Sequence, residues 1–92
     1  MIKNFKHKGL DALFNKDSKK GVPARHVKRI RRILTRLNVS VRPQDMNLPG
    51  YDLHQLSGKQ KGVWAVTVSG NWRITFVFSN SNAIDVDYID YH

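Results

Sequence analysis

The side chains in this sequence that best suit acid–base chemistry are His54, Arg73 and the terminal triplet Asp90-Tyr91-His92. Histidine serves as an acid or a base because its ordinary pKa lies near neutrality. Arginine can hold a phosphate by two parallel hydrogen bonds, and tyrosine can stack on a base. RNA carries its own nucleophile, the 2′-hydroxyl, so its cleavage needs only a base, an acid and a cation that stabilises the phosphorane-like transition state. If folding gathers these residues, they can form a metal-independent ribonuclease site.

Other chemistries find less support in the sequence. The chain has no cysteine, which excludes disulfides, thiolate zinc sites, iron–sulfur clusters and a cysteine nucleophile. Its histidines lack the close spacing of a metal pair, and no carboxylate cluster accompanies them, so we expect neither a metal nor a cofactor. A structural role also stays open for Arg73, which could form an ion pair with Asp85 or Asp87 on a neighbouring strand.

The elements that position these residues follow from the spacing of the apolar side chains. Helical spacing predicts a short helix over Lys8–Asn15 and a second over Ala24–Leu37, with Pro23 suited to its first turn. After a loop over residues 38–50, the apolar period changes to two. Strands are predicted at Tyr51–Leu56, Val63–Val68, Trp72–Phe78 and Ala83–His92, with a tight turn at Ser69–Asn71.

Alternation then assigns side chains to the faces of the predicted strands. One face carries Trp72, Ile74, Phe76 and Phe78, and the other carries Arg73, Thr75 and Val77; in the last strand Ile84, Val86 and Tyr88 alternate against Asp85 and Asp87. The predicted fold class is α+β in a single domain over residues 1–92. It has a small antiparallel β-meander, two N-terminal helices packed on one face, and Ile2–Phe5 as a candidate edge strand.

The positive charge is concentrated in the N-terminal part of the chain. The net charge is +9, and residues 1–36 contain twelve of the sixteen lysines and arginines but two of the seven acidic residues. Such a one-sided field suits a polyanion, most often nucleic acid. A solvated helix face, a membrane surface or an acidic protein partner would use the same residues. No apolar run approaches the roughly 20 residues that cross a bilayer, and no leader opens the chain, so we expect a cytoplasmic protein.

Several stretches of the sequence resemble the HigB-type toxins of the RelE/ParE superfamily, which are the toxin halves of bacterial type II toxin–antitoxin pairs. They follow one another along nearly the whole chain: residues 1–10, Leu53–Gly58, Gly62–Val68, Asn71–Phe76 and Asp87–His92. The most specific stretch is Asn71–Phe76, and the last one is similar to the terminal signature of the family. The resemblance implies a RelE-like fold, in agreement with the elements predicted above.

The resemblance also implies a set of site residues. By position, the active site comprises His54, Arg73, Asp90, Tyr91 and His92, and Asn71 lies beside it to read a base edge. The two histidines would share acid–base duty, Arg73 would stabilise the phosphate, Asp90 would orient a histidine, and Tyr91 would position the nucleotide. The family often has a lysine where this chain has Ser57, so we expect Lys59 or Lys61 to supply that charge to the RNA.

The activity that the resemblance implies is cleavage of messenger RNA codons in the A site of the translating 70S ribosome, without a cofactor. The expected partner is a HigA-like antitoxin with a helix-turn-helix domain, through which alone the toxin reaches operator DNA; no membrane is involved. The basic face of the second helix, with Arg29 and Arg32, would hold ribosomal RNA through contacts that are insensitive to sequence.

Two rival functions remain. A ParE-like inhibitor of DNA gyrase would share the superfamily fold, but such members lack the ribonuclease set, so the histidines and the terminal triplet argue against it. A basic module without catalytic activity would bind ribosomes or RNA and leave transcripts intact.

Overall fold

The computed structural model describes residues 1–58 and 62–91, and it contains a four-stranded antiparallel sheet with two α-helices. The helices are α1 (Lys8–Lys16) and α2 (Val27–Val39); the strands are β1 (His54–Gln55), β2 (Trp64–Ser69), β3 (Trp72–Ser79) and β4 (Asn82–Asp90). The strand order in the sheet is β1-β2-β3-β4, so each strand pairs with its neighbour in the chain. The predicted α+β meander is confirmed. Among the described residues, no helix is both long and apolar enough to cross a membrane.

Helix α1 is defined by its two ends and by one close backbone approach. The Nδ1 atom of His7 accepts a hydrogen bond from the Leu10 amide at 3.2 Å, which satisfies one of the free amides of the first turn. Asp17 ends the helix in the left-handed conformation. A Cβ atom on Gly9 would overlap the Gly21 carbonyl group, so the start of α1 lies directly against the loop that leads to α2.

Helix α2 begins later and ends later than the sequence predicted. Pro23 precedes a 3₁₀ turn over Ala24–His26, and the regular α-helix starts only at Val27. It continues to Val39, where Ser40 adopts an extended conformation. The predicted apolar stripe is confirmed, since the side chains of Ile30, Ile33, Leu34 and Leu37 are fully buried.

The predicted strand over Tyr51–Leu56 is too long, and β1 comprises only His54–Gln55. The chain bends at Asp52, which has a φ of 50° in the left-handed region. Tyr51 nevertheless stays beside the sheet, because its carbonyl accepts a hydrogen bond from the Thr67 amide at 2.8 Å. The preceding loop also contains a 3₁₀ turn over Pro43–Met46, which the sequence did not predict.

A β-bulge in β4 corrects the predicted alternation of that strand. Thr75 pairs with Asp87, but Val77 pairs with Ile84, so β4 has one extra residue between these two pairs. Asp85 lies in this bulge with a φ of 53°. The bulge reverses the alternation, so Ile84 does not share a face with Val86 and Tyr88, and the fully buried Ala83 takes the core position instead.

The N-terminal segment lies at the β4 edge of the sheet. Two isolated parallel bridges join Ile2 to Ala83 and Phe5 to Val86. The predicted edge position is confirmed, although these contacts are single bridges and not a regular strand.

The sheet therefore has two different faces. The covered face packs against the helices and contributes Val66, Ile74, Phe76, Val86 and Tyr88 to the core. The open face carries His54, Ala65, Thr67, Arg73, Thr75, Asp87 and Ile89, as the pairing register and strand alternation require.

Candidate active site

His54 lies on the open face, in the edge strand β1. It pairs with Ala65 of β2, and its imidazole is half-buried. Its Nδ1 atom lies 3.0 Å from the carbonyl oxygen of Asp52. A carbonyl oxygen only accepts, so Nδ1 carries the hydrogen of this bond. This hydrogen bond leaves Nε2 as the ring nitrogen that can accept a proton from a substrate, and the left-handed bend at Asp52 places the carbonyl that fixes the tautomer.

Arg73 lies on the same face. It is two residues before Thr75 in β3, and Thr75 is in register with Ala65 and His54 across the sheet. Its register partners are Thr67 in β2 and Ile89 in β4. Its Nη1 atom donates hydrogen bonds to the carbonyl oxygens of Gly70 at 2.6 Å and Trp72 at 3.1 Å. These two bonds hold the guanidinium beside the β2–β3 turn.

The Nε atom of Arg73 is buried and has no hydrogen-bond partner among the described residues. A buried donor without a partner costs free energy, and an anion placed there would remove that cost. The alternative that Arg73 pairs with Asp85 or Asp87 is wrong, because no ion pair joins them in the part of the chain that the structure describes.

Tyr91 follows β4 and reaches the same end of the open face. Its amide donates a 2.8 Å hydrogen bond to the carbonyl oxygen of Asn71 in the β2–β3 turn. Its ring centroid lies 6.4 Å from that of His54, with an angle of 51° between the ring planes. The structure thus brings together His54 and Tyr91, which are far apart in sequence, and the backbone of Asn71 contacts Tyr91 from the β2–β3 turn.

Asp90 occupies a different position from its neighbour. It pairs with Trp72, so alternation directs its side chain away from the face of Ile89 and Tyr91. Its charge also helps to raise the pKa of Tyr88, a residue of the covered face. Strand alternation therefore assigns Asp90 to the face opposite to that of Arg73 and Ile89. The predicted residues Lys59, Lys61 and His92 lie outside the described residues.

The two predicted RNA contacts on α2 differ from each other. Arg32 is exposed and lines a basic hollow of about 540 Å³ with Lys28 and Lys19. Arg29 is directed inward: its Nη2 atom donates to the carbonyl oxygens of Gly50 at 2.7 Å and Thr67 at 2.9 Å. Its guanidinium carbon also lies 4.6 Å from the centre of the Tyr51 ring. Arg29 therefore fixes the loop before β1 against β2, a structural role that differs from the RNA contact predicted for it.

A buried polar pair behind the site was missed by the sequence analysis. The Nδ1 atom of His26 and the hydroxyl of Tyr88 form a hydrogen bond in the core. The Trp72 ring stacks on Tyr88 with 4.7 Å between ring centroids. Burial lowers the pKa of His26, helped by the charge of Arg25, and burial also raises the pKa of Tyr88. One feature of the sequence could have indicated this pair: Tyr88 was predicted on the same strand face as core residues, where its hydroxyl needs a partner.

The arrangement on the open face is suited to phosphodiester cleavage. An imidazole, a guanidinium and an exposed aromatic ring lie at one end of a small antiparallel sheet backed by two helices. In the described part of the chain, one nitrogen of the imidazole and one donor of the guanidinium have no hydrogen-bond partner. No group of three or more potential metal ligands occurs within residues 1–58 and 62–91.

This fold is that of a RelE-like toxin, and the chain belongs to the family described as the RelE-like toxin of the type II toxin–antitoxin system HigB, which matches residues 3–92. The chain is similar to a curated relative named Endoribonuclease HigB, from Proteus vulgaris. The two proteins are 47% identical over 92 residues, which is the full length of each.

Proposed function

We propose that this toxin is an endoribonuclease that cleaves messenger RNA codons in the A site of translating ribosomes by metal-independent acid–base catalysis. The observation that carries the proposal is the convergence of His54, Arg73 and Tyr91 at one end of the open face. Membership of the HigB-like toxin family and the name of the full-length relative support the same activity.

The proposed reaction uses the 2′-hydroxyl of the RNA as the nucleophile. A base removes its proton, the 2′-oxygen attacks the adjacent phosphorus, and the bond to the 5′-oxygen breaks as an acid supplies a proton to that oxygen. The Nε2 atom of His54 is free to act in either proton transfer because Nδ1 is engaged with Asp52. The products are a 2′,3′-cyclic phosphate and a 5′-hydroxyl.

Arg73 would stabilise the additional negative charge that the phosphate carries in the transition state. Its buried Nε atom is a donor that no described residue uses. Tyr91 would stack on a nucleotide, and Asn71 would present its amide to a base edge from the β2–β3 turn.

The remaining roles follow from the resemblance to the family. His92 would provide the second group for proton transfer, and Asp90 would orient that histidine. Lys59 or Lys61 would add positive charge near the phosphate in place of the lysine that is absent at Ser57.

Dependence on the ribosome is part of the proposal. The site lies on an open sheet surface, so the protein alone has few means of holding an RNA strand in the in-line geometry. The exposed arginines and lysines of α2, with Arg32 among them, would bind ribosomal RNA, and the ribosome would orient the messenger. Such a toxin would act in the cytoplasm.

HigB toxins of type II systems partner with an antitoxin, and this chain belongs to that family. We propose that its own antitoxin is a HigA-like protein with a helix-turn-helix domain, and that the toxin reaches operator DNA only through it.

Mapping of RNA 5′ ends in cells that express the toxin tests the proposal. We expect discrete cuts inside translated codons with the wild-type chain and none with His54→Ala. Purified toxin should cut a messenger on programmed ribosomes and leave the same RNA intact without them. Intact transcripts with the wild-type chain, combined with ribosome binding, would identify a non-catalytic module. Accumulation of gyrase-dependent DNA topoisomers would support the gyrase rival.

A further inference from the structure

A second recess lies on the open face next to the proposed cleavage site. It has a volume of about 230 Å³ and lies over β3 and β4, where Val63, Val77 and Ile89 form apolar walls. Thr75, Asp85 and Asp87 supply its polar groups. We call it the β3–β4 hollow.

The hollow borders the cleavage site, as the pairing of residues across the strands shows. Thr75 pairs with Ala65, and Ala65 pairs with His54, so these residues lie in one row across the strands. Ile89 pairs with Arg73 in the adjacent row. An RNA strand whose phosphate contacts Arg73 therefore has its neighbouring nucleotide within reach of the hollow, since two residues of strand span about 7 Å.

The polar groups of the hollow are left with capacity to bind. Thr75 is only 6% exposed, and its hydroxyl has no hydrogen bond to any described residue although it lines the hollow. The hydroxyl oxygen is not itself fully buried and opens into the hollow, where a ligand or water can supply the partner. One carboxylate oxygen of Asp87 accepts from the Tyr88 amide at 2.9 Å, and one of Asp85 accepts from the Asn4 side chain at 2.9 Å. The second oxygen of each carboxylate accepts no side-chain hydrogen bond from the described part of the chain.

We propose that the β3–β4 hollow is a nucleobase subsite, which receives the base next to the scissile phosphate and selects bases that carry an amino group. This inference rests on the proposed endoribonuclease function. The apolar side chains of the hollow contact the faces of the ring, and the carboxylate oxygens accept hydrogen bonds from its edge.

The selectivity follows from the acceptor character of a carboxylate. Adenine, cytosine and guanine each present an amino group that can donate to Asp85 or Asp87. Uracil presents two carbonyl oxygens beside its single ring N–H. These oxygens are acceptors and would be repelled by the carboxylate oxygens. Lys6 lies at the border of the hollow, where its ammonium group can contact a phosphate of the bound strand.

A comparison of cleavage maps tests this subsite. The variants are Thr75→Val, which removes the hydroxyl at constant shape, and Asp87→Asn, which replaces an acceptor oxygen by a donor. The control is Asp11→Asn, an exposed carboxylate on α1 with the same change of charge. All four proteins act on one set of translated messengers, and 5′-end sequencing gives the base preference beside each cut.

We expect the wild-type and control proteins to disfavour uracil at one position next to the cut. In Asp87→Asn the ratio of amino-bearing bases to uracil at that position should fall by about tenfold, and Thr75→Val should lower it by a smaller factor. Thermal unfolding of each variant verifies folding, and Thr75→Val alone keeps the test valid if the Asp87 variant does not fold.

Base preferences identical to the wild type in both folded variants would overturn the subsite and leave the endoribonuclease proposal intact. An unchanged preference with weaker antitoxin binding would assign the hollow to the antitoxin and would also overturn it. Absence of any cuts by the wild-type protein would instead overturn the underlying function.

Discussion

The two faces of this sheet differ in whether their buried polar atoms have hydrogen-bond partners. On the covered face, the buried polar side chains of His26 and Tyr88 satisfy each other beneath the Trp72 ring. On the open face, the buried Nε atom of Arg73 has no partner among the described residues. Adjacent residues of β3 therefore differ: Trp72 packs on Tyr88 in the core, and Arg73 has a donor without a partner among residues 1–58 and 62–91. The Nε atom of Arg29 on α2 is also buried without a described partner, so the unpartnered donor of Arg73 indicates a ligand site only together with the other groups on the open face.

The largest expected effect on stability belongs to the covered face. Phe76 is fully buried and packs at an edge-to-face angle against Phe78, with 5.8 Å between ring centroids. Phe76→Ala should lower the free energy of unfolding by about 3–5 kcal/mol, because it removes a large apolar side chain and leaves a cavity. Chemical denaturation measures this change. A loss below about 1 kcal/mol would mean that the covered face is not the main source of stability.

The corresponding change on the open face should affect activity without affecting stability. His54→Ala should lower the rate of messenger cleavage on ribosomes at least about a hundredfold, because general acid–base groups contribute at least that factor. Its melting temperature should stay close to that of the wild type, since His54 is only half-buried in a two-residue edge strand. A cleavage rate within a few-fold of the wild type would remove His54 from the site.

A smaller change in stability should distinguish a polar side chain that has a hydrogen-bond partner in the fold from one that has no described partner. Tyr88→Phe removes the hydroxyl that bonds to His26 and leaves a buried ring nitrogen without a partner, which should cost about 1–3 kcal/mol of stability. Thr75→Val on the open face removes a hydroxyl that has no described partner, so it should be nearly neutral for stability. Equal losses in the two variants, measured by denaturant unfolding, would contradict the contrast between the faces.

The smallest expected effect is a dependence of stability on pH. Burial, then the charge of Arg25, lowers the pKa of His26 below its ordinary value of 6.5, so the folded state favours the neutral ring. As pH falls below about 6.5, the unfolded chain binds a proton at this position before the folded chain does, and stability decreases. At higher pH this contribution is constant. The melting temperature of the wild type should fall more steeply between pH 7.5 and 5.5 than that of His26→Gln.

The sequence was sufficient to predict the elements and most side-chain faces because their apolar spacing is regular. The faces of β3 were predicted for this reason, and so was the buried stripe of α2. Ile84 was predicted on the wrong face because a single extra residue at Asp85 reverses the alternation of the strand. The spacing of apolar residues does not predict such a bulge. Strand β1 was predicted too long because the left-handed bend at Asp52 interrupts residues whose types are otherwise suited to a strand.

The site itself was predictable only in part. The residue types at His54 and Arg73 indicated their chemistry, but their common face depends on a register that connects distant strands. The contacts of Arg29 within the protein were not predicted, because charge patterns do not reveal the direction of a side chain. Its long side chain turns back to the carbonyl oxygens of Gly50 and Thr67. The contact between His54 and Tyr91 joins an edge strand to the end of the last strand, which only the folded chain brings together.

A structure of this toxin on a 70S ribosome with a messenger that carries a 2′-deoxy nucleotide at the cleavage position tests the central claim most directly. That messenger binds without reacting. Our account predicts the scissile phosphate on the open face, within about 3 Å of the Arg73 guanidinium and with the neighbouring 2′-carbon facing the Nε2 atom of His54. A messenger held by α2 or by the covered side, with the open face empty, would contradict it.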